Sequence, residues 1–450
     1  MAARTRTLRA AAVPRANGRP QAGSMLAPVD AFSRSLASGM RRQLAERSAA
    51  ISLGDVDGLL VAVVVGLCAF GLVMVYSASE PLGYTAYGDS AYFFRRQVMA
   101  MALGGVLMIV AAKLDYHRWS EWSRVLAAGC AFLLLAVLVP HIGTQALGAR
   151  RWIGVGPFSF QPSAVATLVA IIYFSRWLVD RGPAVRTWVM VRRYALLLIL
   201  VVAAIVLERD LGSSIVLAGI GLSLLILSGA RKRGIAFLTG VLLVCGYVAI
   251  KMEAYRSSRI SSFRDPFSDP LNTGFQPIHA MFALGSGGLH GVGLGNSVEK
   301  YLWLPEAHSD FIFAIVGEEL GLIGTLSVIG AFSFLLWRGV RTALRAPDRY
   351  GTLLAGGVTA WIGIQAFINL AAVTDVSPTT GITLPFISYG GTSLVSTLLA
   401  VGVLCNISAQ GRRHMGEARR AHVDRWRGDG WTYHPRDRAR DGAALDGSVG

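Results

Sequence analysis

The stretch LPEAHSDFIFAIVGEELG, residues 304–321, sets three ionisable side chains, Glu306, His308 and Asp310, directly against the start of an apolar run. Charged groups at a membrane boundary are costly, and they persist where they serve a contact or a reaction. Just upstream, six glycines fall between Gly285 and Gly295, so a polar, loop-forming segment meets an apolar helix here. Glu318 and Glu319 lie about two turns into that helix and must face the protein interior or a counter-charge, a polar contact between helices being the simplest role.

The rest of the chain explains why this run is read as a membrane span. Of its 450 residues, 53% are hydrophobic and only 16% charged, with a mean hydropathy of +0.50. This is the composition of a polytopic membrane protein, not of a soluble core. Windows long enough to cross about 30 Å of hydrocarbon fall at 56–78, 97–114, 123–140, 161–179, 193–208, 211–228, 234–252, 310–337, 351–374 and 383–408. The expected fold class is therefore all-α, a ten-helix transmembrane bundle with one large outer loop, 253–309, between spans seven and eight. The first 50 residues carry no apolar core of a cleavable leader, so the first span is expected to direct insertion.

Basic residues in the short loops set the orientation. Both tails are arginine-rich, as in Arg41, Arg42, Arg412 and Arg413, and so are the alternate loops, with Arg181, Arg186 and Arg192, then Arg231 to Arg233, then Arg338, Arg341 and Arg345. The opposite set is poorer. Both termini are thus expected in the cytoplasm of a cell with an inner membrane, and the long loop outside it. The same distribution accounts for the net charge of +16 through topology and anionic lipid headgroups, without nucleic acid. Residues 1–50 and 411–450 read as disordered basic tails flanking a membrane domain at 51–410, open to cytoplasmic partners. Cys68, Cys130, Cys245 and Cys405 each fall in an apolar window with no paired spacing, so neither a disulfide framework nor a metal site is indicated.

Three outer segments carry the unusual chemistry. In GARRWIGVGPFSFQPSA, 148–164, Arg151 and Trp152 sit in a Gly/Pro loop, and Gln161 and Ser163 flank Pro162 at the start of a span. Arg151 reads either as an interfacial anchor or as a guanidinium for phosphate. The long loop adds Arg259, Gln276 and Lys300 to Glu306, His308 and Asp310. Its glycines suit a re-entrant turn or close approach to a ligand. Asp310 reads as a helix N-cap, shared with Ser309, or as a catalytic base. In SPTTGITLPFISYGGTS, 377–393, two prolines and three glycines, with Ser388 and Gly390 among them, break an apolar region. Such breaks survive in membranes where they are buried in protein or line a cavity.

The strings GLGNSVEKYLWLPEAHSDFIFAIVGEELG, RRWIGVGPFSFQPS and PTTGITLPFISYGGTS, on ten spans across about 55–410, resemble the shape, elongation, division and sporulation (SEDS) family. The form LPEAH, the preceding GLGNS and the long basic N-terminal tail are more similar to its division branch than to its elongation branch. The resemblance implies a peptidoglycan glycosyltransferase that polymerises lipid II on the outer face of the cytoplasmic membrane, at the division septum, with a class B penicillin-binding protein and other division proteins as partners. It places the essential acid on Asp310, and it implies substrate-binding roles for Arg151, Gln161, Ser163, Arg259, Gln276, Lys300, Glu306, His308, Ser388 and Gly390. A divalent cation, Mg or Mn, is the one cofactor that the diphosphate chemistry would admit.

The chain departs from the family pattern at Ala164 and Thr167, where an acid and a base are usual, at Thr380 in place of a common lysine, at Asp375 in place of glycine, and at Arg209 in place of a proline. Two other functions are compatible with ten broken spans: a flippase for lipid II or another polyprenyl lipid, and a non-catalytic scaffold of the division machinery. The first would depend on polar groups within the spans more than on Asp310. The second would tolerate Asp310→Asn.

Overall fold

A computed structural model describes residues 56–139, 143–146, 149–155 and 158–428. Its helices are α1 (Gly58–Tyr87), α2 (Tyr92–Lys113), α3 (Tyr116–Leu138), α4 (Pro162–Arg181), α5 (Trp188–Leu207), α6 (Leu211–Leu227), α7 (Lys232–Lys251), α8 (Ala254–Arg264), α9 (Phe275–Ser286), α10 (Ile312–Leu344), α11 (Arg349–Val373) and α12 (Gly391–Gly428). Nine of these, among the described residues, are long and apolar enough to cross a membrane, and α6 is an apolar helix of 17 residues. With α6 they make the ten expected spans of a multi-pass membrane bundle. The expected N-terminal tail, 1–50, lies outside the described residues.

Packing follows side-chain size. Among the spans, α4, α11 and α12 are the most buried, while α2, α3 and α7 turn mostly outward. α12 lies along α2, and α11 contacts both α10 and α6. The α2–α12 approach requires Gly402, since a Cβ there would stand 2.3 Å from the Met108 carbonyl oxygen. Small residues that let backbones meet replace the hydrophobic drive that lipid does not supply.

The element boundaries depart from expectation in four places. The segment around Arg151, expected as a loop, is a three-stranded antiparallel sheet of β1 (Gly143–Ala146), β2 (Ala149–Val155) and β3 (Phe158–Phe160). Thr144 pairs with Trp152 and Ile153 with Phe160. The β-branched and aromatic residues of β2 and β3 favour strands strongly enough to override the glycines between them. α1 runs on through Pro81 to Tyr87, past the end of its apolar window. The last span begins at Gly391, because 377–390 stays unwound. α12 then continues to Gly428, so the first part of the expected C-terminal tail is helical.

The long loop is tied to α10 by backbone. α10 breaks at Gly321 (φ 65°, ψ −161°), which leaves carbonyls without helical donors. The glycine run supplies them: Val292 N donates to Glu318 O at 2.9 Å and Gly293 N to Glu319 O at 3.1 Å, while Leu322 N donates to Gly288 O at 3.0 Å. At Gly291 (φ +83°) a Cβ would lie 2.1 Å from Glu319 O. The glycines thus serve a backbone-to-backbone contact, the re-entrant alternative of the two. Gly291→Ala should lower stability by about 2 kcal/mol or more through left-handed strain and overlap, whereas Gly285→Ala, with nothing within 4 Å of its Cβ position, should leave the thermal midpoint of the purified protein nearly unchanged.

Candidate active site

The three unusual segments converge on one cavity of about 1140 Å³ at the end of the bundle that carries the sheet. Arg151 and Gln161 reach it from the first segment, Arg259, Gln276, Glu306, His308 and Asp310 from the second, and Gly390 from the third. Ile215 of α6 and Phe367 of α11 line it as well, and both are exposed on the bundle surface. A charged chamber is therefore continuous with an apolar, lipid-facing slot.

The chain from 306 to 311 is held from both sides. Glu306 adopts φ 56°, and its carbonyl accepts from Ser309 N at 3.1 Å and Phe311 N at 3.2 Å. Ser309 Oγ donates to Glu306 Oε2 at 2.6 Å. His308 is buried between Phe93 and Tyr389, with ring centroids 4.5 Å and 5.4 Å away, and its carbonyl accepts from Tyr389 N at 3.0 Å. Burial holds the His308 pKa below the ordinary imidazole value against the pull of Glu306, so the ring is neutral at pH 7. Asn369 of α11 donates through Nδ2 to Asp310 O at 2.8 Å and to Ile382 O at 2.7 Å, pinning the Asp310 backbone to the unwound 377–390 segment.

Asp310 does not cap the helix. α10 starts at Ile312 behind Phe311, with no side-chain cap bond. The carboxylate turns instead into the cavity, where a Cβ built on Gly381 would sit 3.4 Å from Asp310 Oδ2 and 3.9 Å from Arg259 Nη1. Asp310 is half-buried and lines the cavity. Burial raises its pKa to about 7, assisted by Glu306 and opposed by Arg259 and Arg151. A carboxylate tuned to neutral pH is what general base catalysis selects.

The chain was compared with known proteins. Residues 58–413 match the FtsW/RodA/SpoVE family, described as cell cycle proteins. The chain belongs to this family. It is 43% identical to stage V sporulation protein E of Bacillus subtilis over 79% of this chain and 98% of that protein. It is 42% identical to the probable peptidoglycan glycosyltransferase FtsW of Geobacter metallireducens over 79% of this chain and 95% of that protein. Solved structures share the fold, and two of them are informative. One comes from work on the structural coordination of polymerization and crosslinking by a peptidoglycan synthase complex (TM-score 0.65, 28% identity, 79% of this chain and 98% of that chain). The other is the rod shape determining protein RodA of Thermus thermophilus (TM-score 0.59, 27% identity, 78% and 96%).

In this family member several expected site residues are engaged by other groups of the protein. Lys300, expected as a counter-charge for the substrate, is fully buried away from the cavity. Its Nζ lies 3.3 Å from Glu319 Oε1 and donates to Gly295 O at 2.5 Å. An ammonium taken out of water needs such a partner, and Ser77 Oγ completes the cluster at 2.6 Å from the same Glu319 oxygen. Glu318 accepts from Ser297 Oγ at 2.5 Å and Val298 N at 2.8 Å, so both carboxylates of the span fasten the loop. Ser163 and Gln161 donate to Asp210 Oδ2, each at 3.1 Å, and Asp210 caps α6 through Ser213 N at 3.0 Å. Ser388 Oγ accepts from Leu384 N at 2.8 Å within the unwound segment.

Arg209 Nε reaches Glu253 Oε1 at 3.4 Å. Glu208 is buried with no hydrogen-bond partner for either oxygen among the described residues, and burial pushes its pKa up to about 8. Ala164 and Thr167 both line the cavity, and the Thr167 hydroxyl donates to Ser163 O at 3.1 Å. Small side chains thus stand at both positions where the resemblance implies an acid and a base.

Three amides escaped the sequence reading: Gln97, Gln365 and Asn369. Gln97 Nε2 donates to Ser388 O at 3.0 Å and Gln365 Nε2 to Thr383 O at 2.9 Å. With Asn369 they satisfy the backbone that the broken last span leaves open. Each is a polar residue within or beside an apolar window, which was the available signal. Arg96, stacked 4.6 Å over Tyr92, joins the cavity wall unannounced. Lys300→Met alone should destabilise the purified protein by roughly 3–5 kcal/mol by stranding Glu319, and the Lys300→Met/Glu319→Leu double variant should recover most of that loss. A lysine serving the substrate instead would leave the thermal midpoint unmoved.

Proposed function

We propose that this chain is a peptidoglycan glycosyltransferase that polymerises lipid II during cell division, with Asp310 as its general base. The observation that carries the reading is a neutral-tuned carboxylate in a chamber lined by Arg151 and Arg259 and continuous with a lipid-facing slot. The names of its relatives support the same activity. The slot suits a polyprenyl tail and the guanidiniums suit a diphosphate.

Chemically, the donor sugar leaves as a lipid diphosphate, a good leaving group that needs charge neutralisation more than a proton. One base suffices. Asp310 takes the proton from the acceptor 4-hydroxyl as its oxygen attacks the anomeric carbon, and the bond to the diphosphate breaks on the opposite face. An α-linked donor gives a β-linked product in one inverting displacement, without the close carboxylate pair of a retaining glycosidase. Arg151 and Arg259 offset the departing charge, and Glu306 keeps Asp310 basic. Gln276, His308 and Gly390 shape the walls.

A Mg or Mn ion would fit as a companion of the diphosphate, with Glu306 as a protein donor beside it, since among the described residues no group of three or more His, Cys, Asp or Glu side chains is poised for a metal. Such an ion would neutralise leaving-group charge. The arginine distribution supports cytoplasmic termini and an outward-facing cavity, and the family of cell cycle proteins supports a place at the septum of the inner membrane. Similarity to a chain of a peptidoglycan synthase complex supports a class B penicillin-binding partner, with other division proteins around it. The flippase reading loses its main feature, since Glu318, Glu319 and Lys300 are committed to holding the loop.

Asp310→Asn should reduce glycan chain formation from labelled lipid II, in complex with the cognate partner, by about 10²- to 10⁴-fold. Equal activity of the two proteins would leave the scaffold reading. Because the base works deprotonated, polymerisation should rise with pH through Asp310's pKa of about 7. Glu306→Gln removes a neighbour that raises this pKa and should move the acid limb of the pH profile to lower pH.

A further inference from the structure

At the end of the bundle opposite the cavity, Arg338 and Arg341 of α10 and its C-cap Arg345, spaced i, i+3 and i+7, meet Arg412 of α12 around a small pocket. One acid answers them. Asp57, the N-cap of α1, is buried and accepts from Arg338 through Nε at 2.9 Å and through Nη2, from Arg412 Nη2 at 3.2 Å and from Leu60 N at 3.4 Å. That carboxylate is fully occupied. Among the described residues neither Arg341 nor Arg345 has a carboxylate partner, so four guanidiniums share one negative charge. Ser408 adds a hydroxyl to the lining.

The adjoining surface says what the missing anion is attached to. Trp337, Val340 and Leu344 are exposed on the same helix, and Arg341 sits 5.4 Å over the Trp337 ring. An interfacial tryptophan and an apolar strip beside unpaired guanidiniums match acyl chains below a phosphate. The pocket is too small for a whole headgroup but admits phosphate oxygens. We propose that Arg338, Arg341, Arg345 and Arg412 form a binding site for the phosphate of an anionic phospholipid, oriented by buried Asp57 and separate from the cavity that holds Asp310. General attraction of basic loops to a membrane needs no such arrangement.

The test is binding of phosphatidylglycerol, phosphatidylcholine and inorganic phosphate to the purified full chain in detergent by native mass spectrometry, with Arg341→Gln/Arg345→Gln set against Arg192→Gln/Arg193→Gln. The second pair is exposed on α5 and removes the same charge elsewhere, while neither pair touches Asp57. Phosphatidylglycerol should bind in preference to phosphatidylcholine, and the first variant should lose roughly tenfold or more in that affinity with the second unchanged. Equal losses in both variants, no loss in the first, or inorganic phosphate displacing the lipid at comparable concentration would each overturn the proposal.

Discussion

The architecture of the cavity depends on one break in one helix. At Gly321 the helical ladder of α10 stops, and the glycine run 287–293 lays its own backbone against the freed carbonyls. In hydrocarbon an unpaired carbonyl costs several kcal/mol, so this pairing is a condition for the fold and not an ornament of it. Glu318 and Glu319 reinforce it with side chains, one capping the turn at Ser297 and the other neutralising Lys300. The segment that follows is thereby fixed at both ends, and Asp310 is delivered to the cavity one residue ahead of the helix cap.

A second unwound stretch, 377–390, closes the site from the other side. Here the backbone is satisfied by amides, with Gln97, Gln365 and Asn369 reaching from α2 and α11. Asn369 joins the two irregular segments by donating to Asp310 and Ile382 together. The Asp310 carboxylate is thus placed by backbone contacts that rigid helices enforce, while its surroundings of Glu306, Arg259 and Arg151 set its proton affinity. Precision and tuning come from different parts of the molecule.

The sequence announced much of this. Ten apolar windows became ten helices because length and hydropathy decide spans in a bilayer. The convergence of 148–164, 253–310 and 377–393 followed from their lying on one side of an alternating topology. What stayed hidden was pairing. Lys300 and Glu319 sit 19 positions apart, and only packing could show that they neutralise each other; the same holds for Gln161 and Ser163 on Asp210. Asp310 was legible as either a cap or a base, and only the helix start at Ile312 removed the cap reading. The sheet around Arg151 was masked by glycines that propensity alone would assign to a loop.

The central claim is that the diphosphate lies among the arginines with the acceptor hydroxyl at Asp310. The direct test is an experimental structure of this chain bound to a lipid II analogue that cannot be extended, together with an acceptor glycan. The account predicts the diphosphate beside Arg151 and Arg259, the polyprenyl tail in the slot marked by Ile215 and Phe367, and the acceptor 4-hydroxyl within hydrogen-bond reach, about 3 Å, of the Asp310 carboxylate. A diphosphate seated elsewhere in the bundle, or an acceptor hydroxyl facing away from Asp310, would contradict it.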